Sequence, residues 1–325
     1  MNFFEIKNMP KGELHVHLNG LVSINVIKEL LKENNSKIPT DFCLERDLTR
    51  RFPVGSLAEY LRPWEVLRLI PNSKQELTML VESAFLNLKK ENVHFVELRN
   101  SVIYIASLNN ISIKKALAWL IDDIDNLSDK YGIKAGLIMT VNRGGYALEH
   151  LSQLLEAYKC LKYPQTVIGV DLAGNEDVSS SKDLGYLFKK ARYDYDLGVT
   201  IHAGETGNIE NVADAINNYG ANRIGHGTAI IKSKGVMNLV KEKDICIEVC
   251  LISNRLTNAI DEDSVHPVSD FIRNNIPFVL CSDNPSIHVS GISKDYMEFI
   301  RETKNISYLN NMFEEQRKYS FIKGL

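Results

Sequence analysis

The sequence predicts an α/β fold, a (β/α)8 TIM barrel with extra helices after the first strand. Eight short apolar runs of β type recur along the 325 residues, and patterns of helical period separate them. The runs are rich in Val, Ile and Leu, as parallel strands covered on both faces are. A doubly wound open sheet is the alternative that the same alternation allows. Because no linker rich in Pro, Gly and Ser divides the chain, we expect residues 1–325 to form a single domain.

The predicted elements follow one another in a regular order. The eight strand runs are Leu14–His17, Val93–Leu98, Ala135–Val141, Thr166–Leu172, Gly198–His202, Arg223–His226, Ile245–Val249 and Phe278–Ser282. Clear helical patterns between them are Lys74–Glu91, Ser112–Lys130 and Ala147–Leu161. The segment Leu21–Ile70 is longer than a minimal crossover needs, so we expect it to fold as extra helices over one end of the barrel.

The bulk composition limits the kind of partner. Hydrophobic residues make up 44% of the chain and charged residues 24%, which is typical of a globular protein. The formal net charge is −3 and no basic block stands out, so neither nucleic acid nor a membrane surface is an implied partner. Residues 1–10 lack the apolar run of a signal peptide. We therefore expect a cytoplasmic protein that acts on a small molecule, and nothing implies an oligomeric state.

The five cysteines do not indicate a disulfide framework, because their number is odd and they are scattered. Strand alternation puts Cys246 and Cys250 on the same side of one run. We interpret both as small buried side chains, with a thiolate metal site as the alternative.

Polar residues stand at the ends of four predicted strands. His15 and His17 end the first run, His202 ends the fifth, His226 ends the sixth, and Asp283 follows the eighth. The carboxyl ends of barrel strands meet at one face of the barrel. We therefore expect these five side chains to converge on one pocket.

The first pair of histidines predicts a metal site. A strand period of two puts His15 and His17 on the same face, where two imidazoles can bind one metal ion; chance placement is the alternative for the pair alone. His202 and Asp283 complete a donor set that suits zinc with an open position for water. No Lys ends the fourth strand run, where binuclear barrel metallohydrolases carry a bridging Lys, so we expect one zinc.

Two further residues are candidates for the chemistry. Glu205 lies just past the fifth strand, where a carboxylate can take a proton from water and deliver it to a substrate. The alternative is a carboxylate that stabilises the start of the next helix. His226 lies between two glycines that allow a tight bend, and we expect its ring to orient the attacking hydroxide. The alternative is a hydrogen-bonded core histidine.

Six motifs resemble those of the adenosine deaminase family, in the family's order and over residues 10–285. They are Pro10–Gly20, Asp171–Glu176, His202–Glu205, Arg223–Gly227, Cys250–Asn254 and Ser282–Pro285. The resemblance implies a barrel of the amidohydrolase type, with His15, His17, His202 and Asp283 as the zinc ligands. It also implies that Glu205 passes the proton to the purine ring, that His226 assists the hydroxide, and that Gly174 offers its backbone to the purine.

The resemblance also implies an apolar lid, for which Ser56–Trp64 is in the right place. Four apolar residues in this segment fall on one face of a helix, at Leu57, Tyr60, Leu61 and Trp64. Packing into the core is the alternative meaning of such a stripe. Pro63 lacks a backbone N–H, so we expect an irregular end to this helix.

Two departures from the family pattern concern the substrate. Asn19 replaces the acid that faces the sugar in adenosine deaminases, and Asn is typical of the branch that acts on N6-methyl-AMP. The Cys250–Asn254 motif also resembles that branch, whereas Leu21 does not. Asn284 replaces a second acid that bonds a purine ring nitrogen, and we expect its amide to keep a donor there.

These observations imply a hydrolytic deaminase that converts adenosine or 2'-deoxyadenosine to the inosine product and ammonia with a zinc-activated hydroxide. The alternatives are a deaminase of an N6-substituted AMP, a different metallohydrolase on the same barrel, and a weakly active nucleoside-binding protein. Arg143 is in a position to meet a phosphate after the third strand, but we interpret it as a solvated loop arginine.

Overall fold

Eight parallel strands form the barrel in the computed structural model, which describes residues 1–32 and 37–325. In chain order, β1 to β8 are Lys11–His17, Val93–Asn100, Lys134–Asn142, Val167–Ala173, Gly198–Ala203, Arg223–His226, Cys246–Val249 and Phe278–Leu280. Each strand pairs with the next, in the order β1-β2-β3-β4-β5-β6-β7-β8. The predicted barrel is therefore confirmed, and the doubly wound alternative is wrong.

The barrel closes where β1 meets the residues that follow β8. Val16 and Asp283 form a parallel bridge at this seam. The backbone N–H of His17 donates to the carbonyl of Asp283 at 3.0 Å, and the N–H of Asp283 donates to the carbonyl of His15 at 2.8 Å. Three of the predicted metal ligands are thus fixed to one another by backbone hydrogen bonds.

Helices alternate with the strands and surround them. Helices α1 to α17 are Phe3–Asn8, Leu18–Leu21, Ile24–Lys32, Leu44–Asp47, Leu57–Tyr60, Trp64–Leu67, Lys74–Lys90, Val102–Leu108, Ile113–Tyr131, Ala147–Cys160, Leu184–Asp194, Ile209–Asn217, Lys234–Glu242, Leu251–Leu256, Val268–Arg273, Ile292–Thr303 and Met312–Tyr319. Thr228–Lys232 and Ile306–Asn311 are 3-10 helices within the described ranges. In the described ranges no helix has the length and apolar character needed to cross a lipid bilayer.

The strand bounds differ from the predicted runs at the first and last strands. Strand β1 begins at Lys11, three residues before the predicted start, although Lys11 is a charged residue that is fully buried. Its ammonium donates to the backbone carbonyls of Lys7, Met9 and Glu91, which satisfies the charge inside the protein. Strand β8 ends at Leu280, two residues before the predicted end.

The long connection after β1 folds as the short helices α2 to α6, as expected for this segment. The predicted lid helix is divided into α5 and α6, and Pro63 is the residue immediately before α6. Pro63 has φ −54°, which suits a helix start but ends the hydrogen-bond ladder of the preceding turn. The irregularity expected at Pro63 is therefore present.

A buried network of charges fills the barrel interior beneath the strand ends. Arg99 donates to Glu248 at 2.7 Å, and Nε of Arg223 donates to the other oxygen of Glu248 at 2.8 Å. Arg223 also pairs with Glu97, and its guanidinium lies 3.6 Å from the centre of the Phe321 ring. These charged groups are nearly or completely inaccessible to solvent, so each depends on its partner for stabilisation.

All five cysteines are free thiols. Cys246 and Cys250 are completely buried, and burial raises the pKa of each thiol well above its ordinary value. Their interpretation as small buried side chains agrees with the structure.

Candidate active site

A cavity of about 310 Å³ opens at the carboxyl ends of the strands. Most of the predicted site residues line it: His17, Asn19, Leu57, Tyr60, Leu61, Trp64, Gly174, His202, Glu205, His226, Asp283 and Asn284. His15 lies next to them, completely buried. The structure therefore brings together side chains that are up to 269 residues apart in the sequence, as the barrel topology predicts.

Four imidazole rings and one carboxylate meet beside this cavity. The Nε2 atom of His15 lies 3.5 Å from Oδ1 of Asp283, and that of His17 lies 3.4 Å from the same oxygen. The Nε2 atoms of His17 and His202 are 3.2 Å apart. In addition, ligand atoms from His15, His202, His226 and Asp283 all lie within 4.8 Å of one another. Nitrogen and oxygen donors at this spacing can hold a metal ion.

Two carboxylates determine which nitrogen His15 and His202 present to the cavity. Nδ1 of His15 is 2.8 Å from Oε2 of Glu248, and Nδ1 of His202 is 2.9 Å from Oδ1 of Asp171. A carboxylate accepts, so each imidazole carries its proton on Nδ1 and leaves the lone pair on Nε2. Although Asp171 is buried, the hydrogen bond from His202 and the positive charge of Arg99 hold the pKa of its carboxyl below the ordinary value.

The donor atoms of these side chains are compatible with a bound metal ion. The Nε2 atom of His15 is buried and has no hydrogen-bond partner among the described residues. A buried polar atom without a partner is costly, whereas a lone pair directed at a cation is stabilised. Imidazole nitrogens together with one carboxylate are ligands that zinc accepts. The residues therefore fit a divalent cation of this class.

Glu205 lies in the turn between β5 and α12 and is buried beside the cluster of four histidines and Asp283. One of its carboxylate oxygens is 3.7 Å from Nε2 of His226. Burial, together with the negative charges of Asp283 and Glu176, raises the pKa of Glu205 well above its ordinary value. Asn208, rather than Glu205, caps α12 by accepting from the N–H of Glu210. Glu205 can thus hold a proton next to the cluster.

His226 ends β6 with a left-handed backbone, at φ 65°, and Gly227 follows at φ 60°. The ring lines the cavity although the residue is almost fully buried. Its Nδ1 atom lies 3.1 Å from the side-chain nitrogen of Asn254. His226 is therefore hydrogen-bonded in the core and also faces the cavity, and its action on a hydroxide stays a prediction.

The side chains of Tyr60 and Asn284 are joined by a hydrogen bond. The amide nitrogen of Asn284 donates to the Tyr60 hydroxyl at 3.1 Å. That hydroxyl lies 2.6 Å from Nε2 of His288 and 3.3 Å from Oδ2 of Asp283. One of the two N–H groups of the Asn284 amide is thus engaged within the protein, so the donor expected for a purine nitrogen would be the other one. The cause is Tyr60, whose hydroxyl reaches the base of the cavity from α5.

Arg143 differs from its sequence interpretation. It is half-buried, it lines the cavity, and it donates to the backbone carbonyl of His202 at 2.6 Å. The interpretation as a solvated loop arginine is therefore wrong, because Arg143 directly follows the end of β3 and lines the cavity there. Asn19 lines the same cavity and donates to the carbonyl of Leu67 at 3.2 Å. Gly174, with φ 88°, brings its backbone to the cavity wall.

The sequence did not predict the residues that hold His15 and Asp283 in place by hydrogen bonds. Glu248 accepts hydrogen bonds from His15, Arg99 and Arg223, among others. Ser253 donates to Oδ2 of Asp283 at 2.7 Å and so occupies the other oxygen of that carboxylate. A signal for Glu248 was present, since it is a lone acid inside the apolar run Ile245–Val249.

Comparison with known proteins identifies the family. The family model described as "Adenosine deaminase" matches residues 10–318. An adenosine deaminase from Clostridium perfringens is 31% identical over 310 residues, which cover 93% of this chain and 90% of that protein. The family model extends over almost the whole barrel and includes every residue of the cavity named above.

Solved structures with the same fold differ in what they act on. The N6-mAMP deaminase of Arabidopsis has a TM-score of 0.83 and 20% identity, with 99% of this chain and 96% of that chain covered. The adenine deaminase of Arthrobacter aurescens has a TM-score of 0.84 and 17% identity, with 96% and 94% covered. At these identities the structural likeness shows the fold alone. The family model and the clostridial relative show membership of the family. The chain belongs to the adenosine deaminase family, and it is a deaminase enzyme.

Proposed function

We propose that the chain removes the 6-amino group of a purine nucleoside, converting adenosine or 2'-deoxyadenosine to the inosine product and ammonia with one zinc ion. The observation that carries this proposal is the meeting of four histidines, Asp283 and a buried glutamate beside one cavity. Its clostridial relative at 31% identity is an adenosine deaminase, which supports the nucleoside as the substrate. A single barrel domain would contain the whole site.

We assign His15, His17, His202 and Asp283 to the metal. His226 lies within reach of the same cluster, but Asn254 donates to its Nδ1 atom, which leaves the proton on Nε2 and no lone pair for a cation. When bound, zinc would supply a Lewis acid that makes water a nucleophile near neutral pH.

Glu205 would move the protons of the reaction. Water adds its oxygen to C6 of the purine, and the bond from C6 to the amino nitrogen breaks. Glu205 would take one proton from that water and give it to the adjacent ring nitrogen. The amino group would gain the water's second proton, from the hydroxyl now bound to C6, and leave as ammonia while the C6–oxygen bond becomes a carbonyl. A carboxyl with a raised pKa suits this exchange, because it accepts a proton more readily than an ordinary glutamate does.

The remaining cavity residues would bind and shield the purine. The Nε2–H of His226 would donate to the incoming oxygen, and its distance from Glu205 leaves space between the two groups. Leu57, Leu61 and Trp64 provide an apolar wall beside the cluster. Such a wall excludes bulk water and strengthens the electrostatic interactions inside the cavity.

A second candidate is a deaminase that acts on an N6-substituted AMP and gives IMP. Two observations favour it: the neutral Asn19 stands where an acid would repel a phosphate, and the cationic Arg143 is part of the cavity wall. The Arabidopsis neighbour that is described as an N6-mAMP deaminase has the same fold.

A substrate panel separates these candidates. Ammonia release is measured from adenosine, 2'-deoxyadenosine, adenine and AMP, and methylamine release from N6-methyl-AMP. The proposal expects the highest kcat/KM with a nucleoside. Activity confined to the nucleotides would favour the second candidate. Hydrolysis of simple esters without deamination would indicate a different metallohydrolase. Binding of adenosine without turnover by the zinc-loaded protein would indicate a nucleoside-binding protein.

A further inference from the structure

A buried chain of hydrogen bonds connects the start of α15 to His226. The backbone N–H of Val268 donates to Nδ1 of His266 at 3.1 Å. Nε2 of His266 lies 3.1 Å from Oδ1 of Asn254, and Nδ2 of Asn254 lies 3.1 Å from Nδ1 of His226. Asn254, His266 and His226 are each at most 1% exposed, so water has little access to these bonds.

The direction of every bond in this chain follows from its first member. A backbone N–H can only donate, so Nδ1 of His266 is an acceptor. Burial, and secondarily the positive charge of Arg255, lowers the pKa of His266 to about 3, so its ring is neutral near pH 7. A neutral ring that accepts at Nδ1 carries its proton on Nε2. His266 therefore donates to the oxygen of Asn254, and Asn254 turns its amide nitrogen toward His226.

The last bond fixes the tautomer of His226. Because Nδ1 of His226 accepts from the Asn254 amide, its own proton stands on Nε2, the nitrogen nearest Glu205. His15 and His202 are arranged in the opposite way, since carboxylates accept their Nδ1 protons. The partner at Nδ1 thus distinguishes His15 and His202, which offer a lone pair at Nε2, from His226, which offers a proton there.

We propose that Asn254 and His266 are positioning residues that hold His226 as its Nε2–H tautomer and aim a hydrogen-bond donor, instead of a lone pair, at the reacting centre. This inference rests on the proposed deaminase function, in which a donor at His226 stabilises the attacking oxygen. It assigns a role to His266, which lies 40 residues from His226 in the sequence and does not line the cavity.

The test is the substitution Asn254→Asp in the zinc-loaded protein. A carboxylate still accepts from His266, but it cannot donate to His226, so His226 is expected to donate from Nδ1 and leave Nε2 bare. Nitrogen-15 NMR of the imidazoles distinguishes the two tautomers directly. We expect the tautomer to invert in N254D and kcat for adenosine to fall by about 10²-fold or more, with a much smaller change in KM.

A pair of substitutions at His266 provides the control. His266→Gln keeps an N–H that can donate to Asn254, whereas His266→Leu removes it. The glutamine variant is expected to keep the Nε2–H tautomer and to recover much of the kcat that the leucine variant loses. This pair also tests the inference if N254D does not fold.

Two outcomes would overturn the inference. One is an Nδ1–H tautomer of His226 in the unmodified protein; the other is an unchanged tautomer and kcat in N254D and H266L. If the unmodified protein releases no ammonia from any 6-aminopurine, the proposed function fails instead, and NMR still decides the tautomer independently.

Discussion

His15 and His226 are buried histidines whose ring centres lie 4.9 Å apart, yet their Nδ1 atoms have opposite partners. Glu248 accepts from the first, and Asn254 donates to the second. The side-chain type is the same, but we propose that one Nε2 atom offers a lone pair to a metal ion and the other a proton to a substrate. Under this proposal, the partner at Nδ1 determines what each histidine presents to the cavity.

Glu205 is the residue whose replacement separates metal binding from proton transfer. Glu205→Gln keeps the size and polarity of the side chain but removes the group that exchanges protons. We expect the variant to bind as much zinc as the unmodified protein and to lose about 10²–10⁴-fold in kcat. Ammonia release and metal analysis on the same sample check both statements. Full activity with bound zinc would exclude Glu205 as the proton carrier.

The sequence revealed the residues at the strand ends but not those behind them. His15, His202 and Asp283 could be predicted because each ends or follows an apolar run, and strand ends meet in a barrel. Asn254 lies in α14, and His266 lies in the loop before α15. In neither place does a hydrophobic period of the sequence indicate which way the side chain points. Contacts of this kind depend on how the loops pack, which a single sequence does not encode in its pattern.

At the scale of elements, β6 packs against β5 and β1 so closely that a glycine is required. Gly225 pairs with His202 across β5 and β6. A Cβ atom at Gly225 would lie 2.9 Å from Cε1 of His15 and 3.3 Å from its Nδ1. The His15 ring, which is held by Glu248, would have to move.

Gly225→Ala is therefore expected to weaken zinc binding by about 10- to 100-fold, because it disturbs the contact that orients a ligand. Gly145→Ala is the matched control, since a Cβ there meets nothing within 4 Å. Competition with a chelator of known affinity measures both variants. Equal affinities in the two variants would contradict the packing argument.

The predicted elements agree with the structure best where apolar patterns are unbroken. The runs in β2 to β7 correspond to strands, whereas β1 extends back to the charged Lys11, which an apolar pattern does not predict. The lid residues keep their place beside the cavity, but their stripe on one helix becomes two short helices around Pro63. Local backbone chemistry, rather than hydrophobic period, decides these boundaries.

At the scale of the whole molecule, buried charges join the far sides of the barrel. Arg223 on β6 pairs with Glu97 on β2 and Glu248 on β7, and Arg99 on β2 pairs with Glu248. Glu248 in turn accepts from His15. The network therefore connects the stability of the barrel to the orientation of His15, which we propose as a metal ligand.

Removal of one member of this network would leave its partners buried without compensation. We expect Arg223→Gln to lower the free energy of unfolding by about 3–5 kcal/mol, because Glu97 and Glu248 lose their shared cation. Arg317→Gln is the control, since the Arg317–Glu314 pair is partly exposed and solvent screens it. Denaturant unfolding of the zinc-free proteins measures the difference. A loss from R223Q no larger than that from R317Q would show that the network is dispensable.

The barrel as a whole could be predicted because the features that indicate it are spread along the whole sequence. Eight apolar runs, the helices between them, and polar residues at the strand ends all indicate the same fold. The substrate could not be predicted to the same degree. It depends on a few groups in the cavity wall, and three of them, Asn19, Arg143 and Asn284, have contacts that only the folded chain reveals.

The central claim is that one zinc ion held by His15, His17, His202 and Asp283 is required for deamination. Its most direct test is a titration: the protein is stripped with a chelator, zinc is returned in measured amounts, and ammonia release from adenosine is followed. We predict that the stripped protein is inactive and that activity rises in proportion to zinc and levels off at one ion per chain. Undiminished activity without metal, or a rise that continues to two ions per chain, would contradict this account.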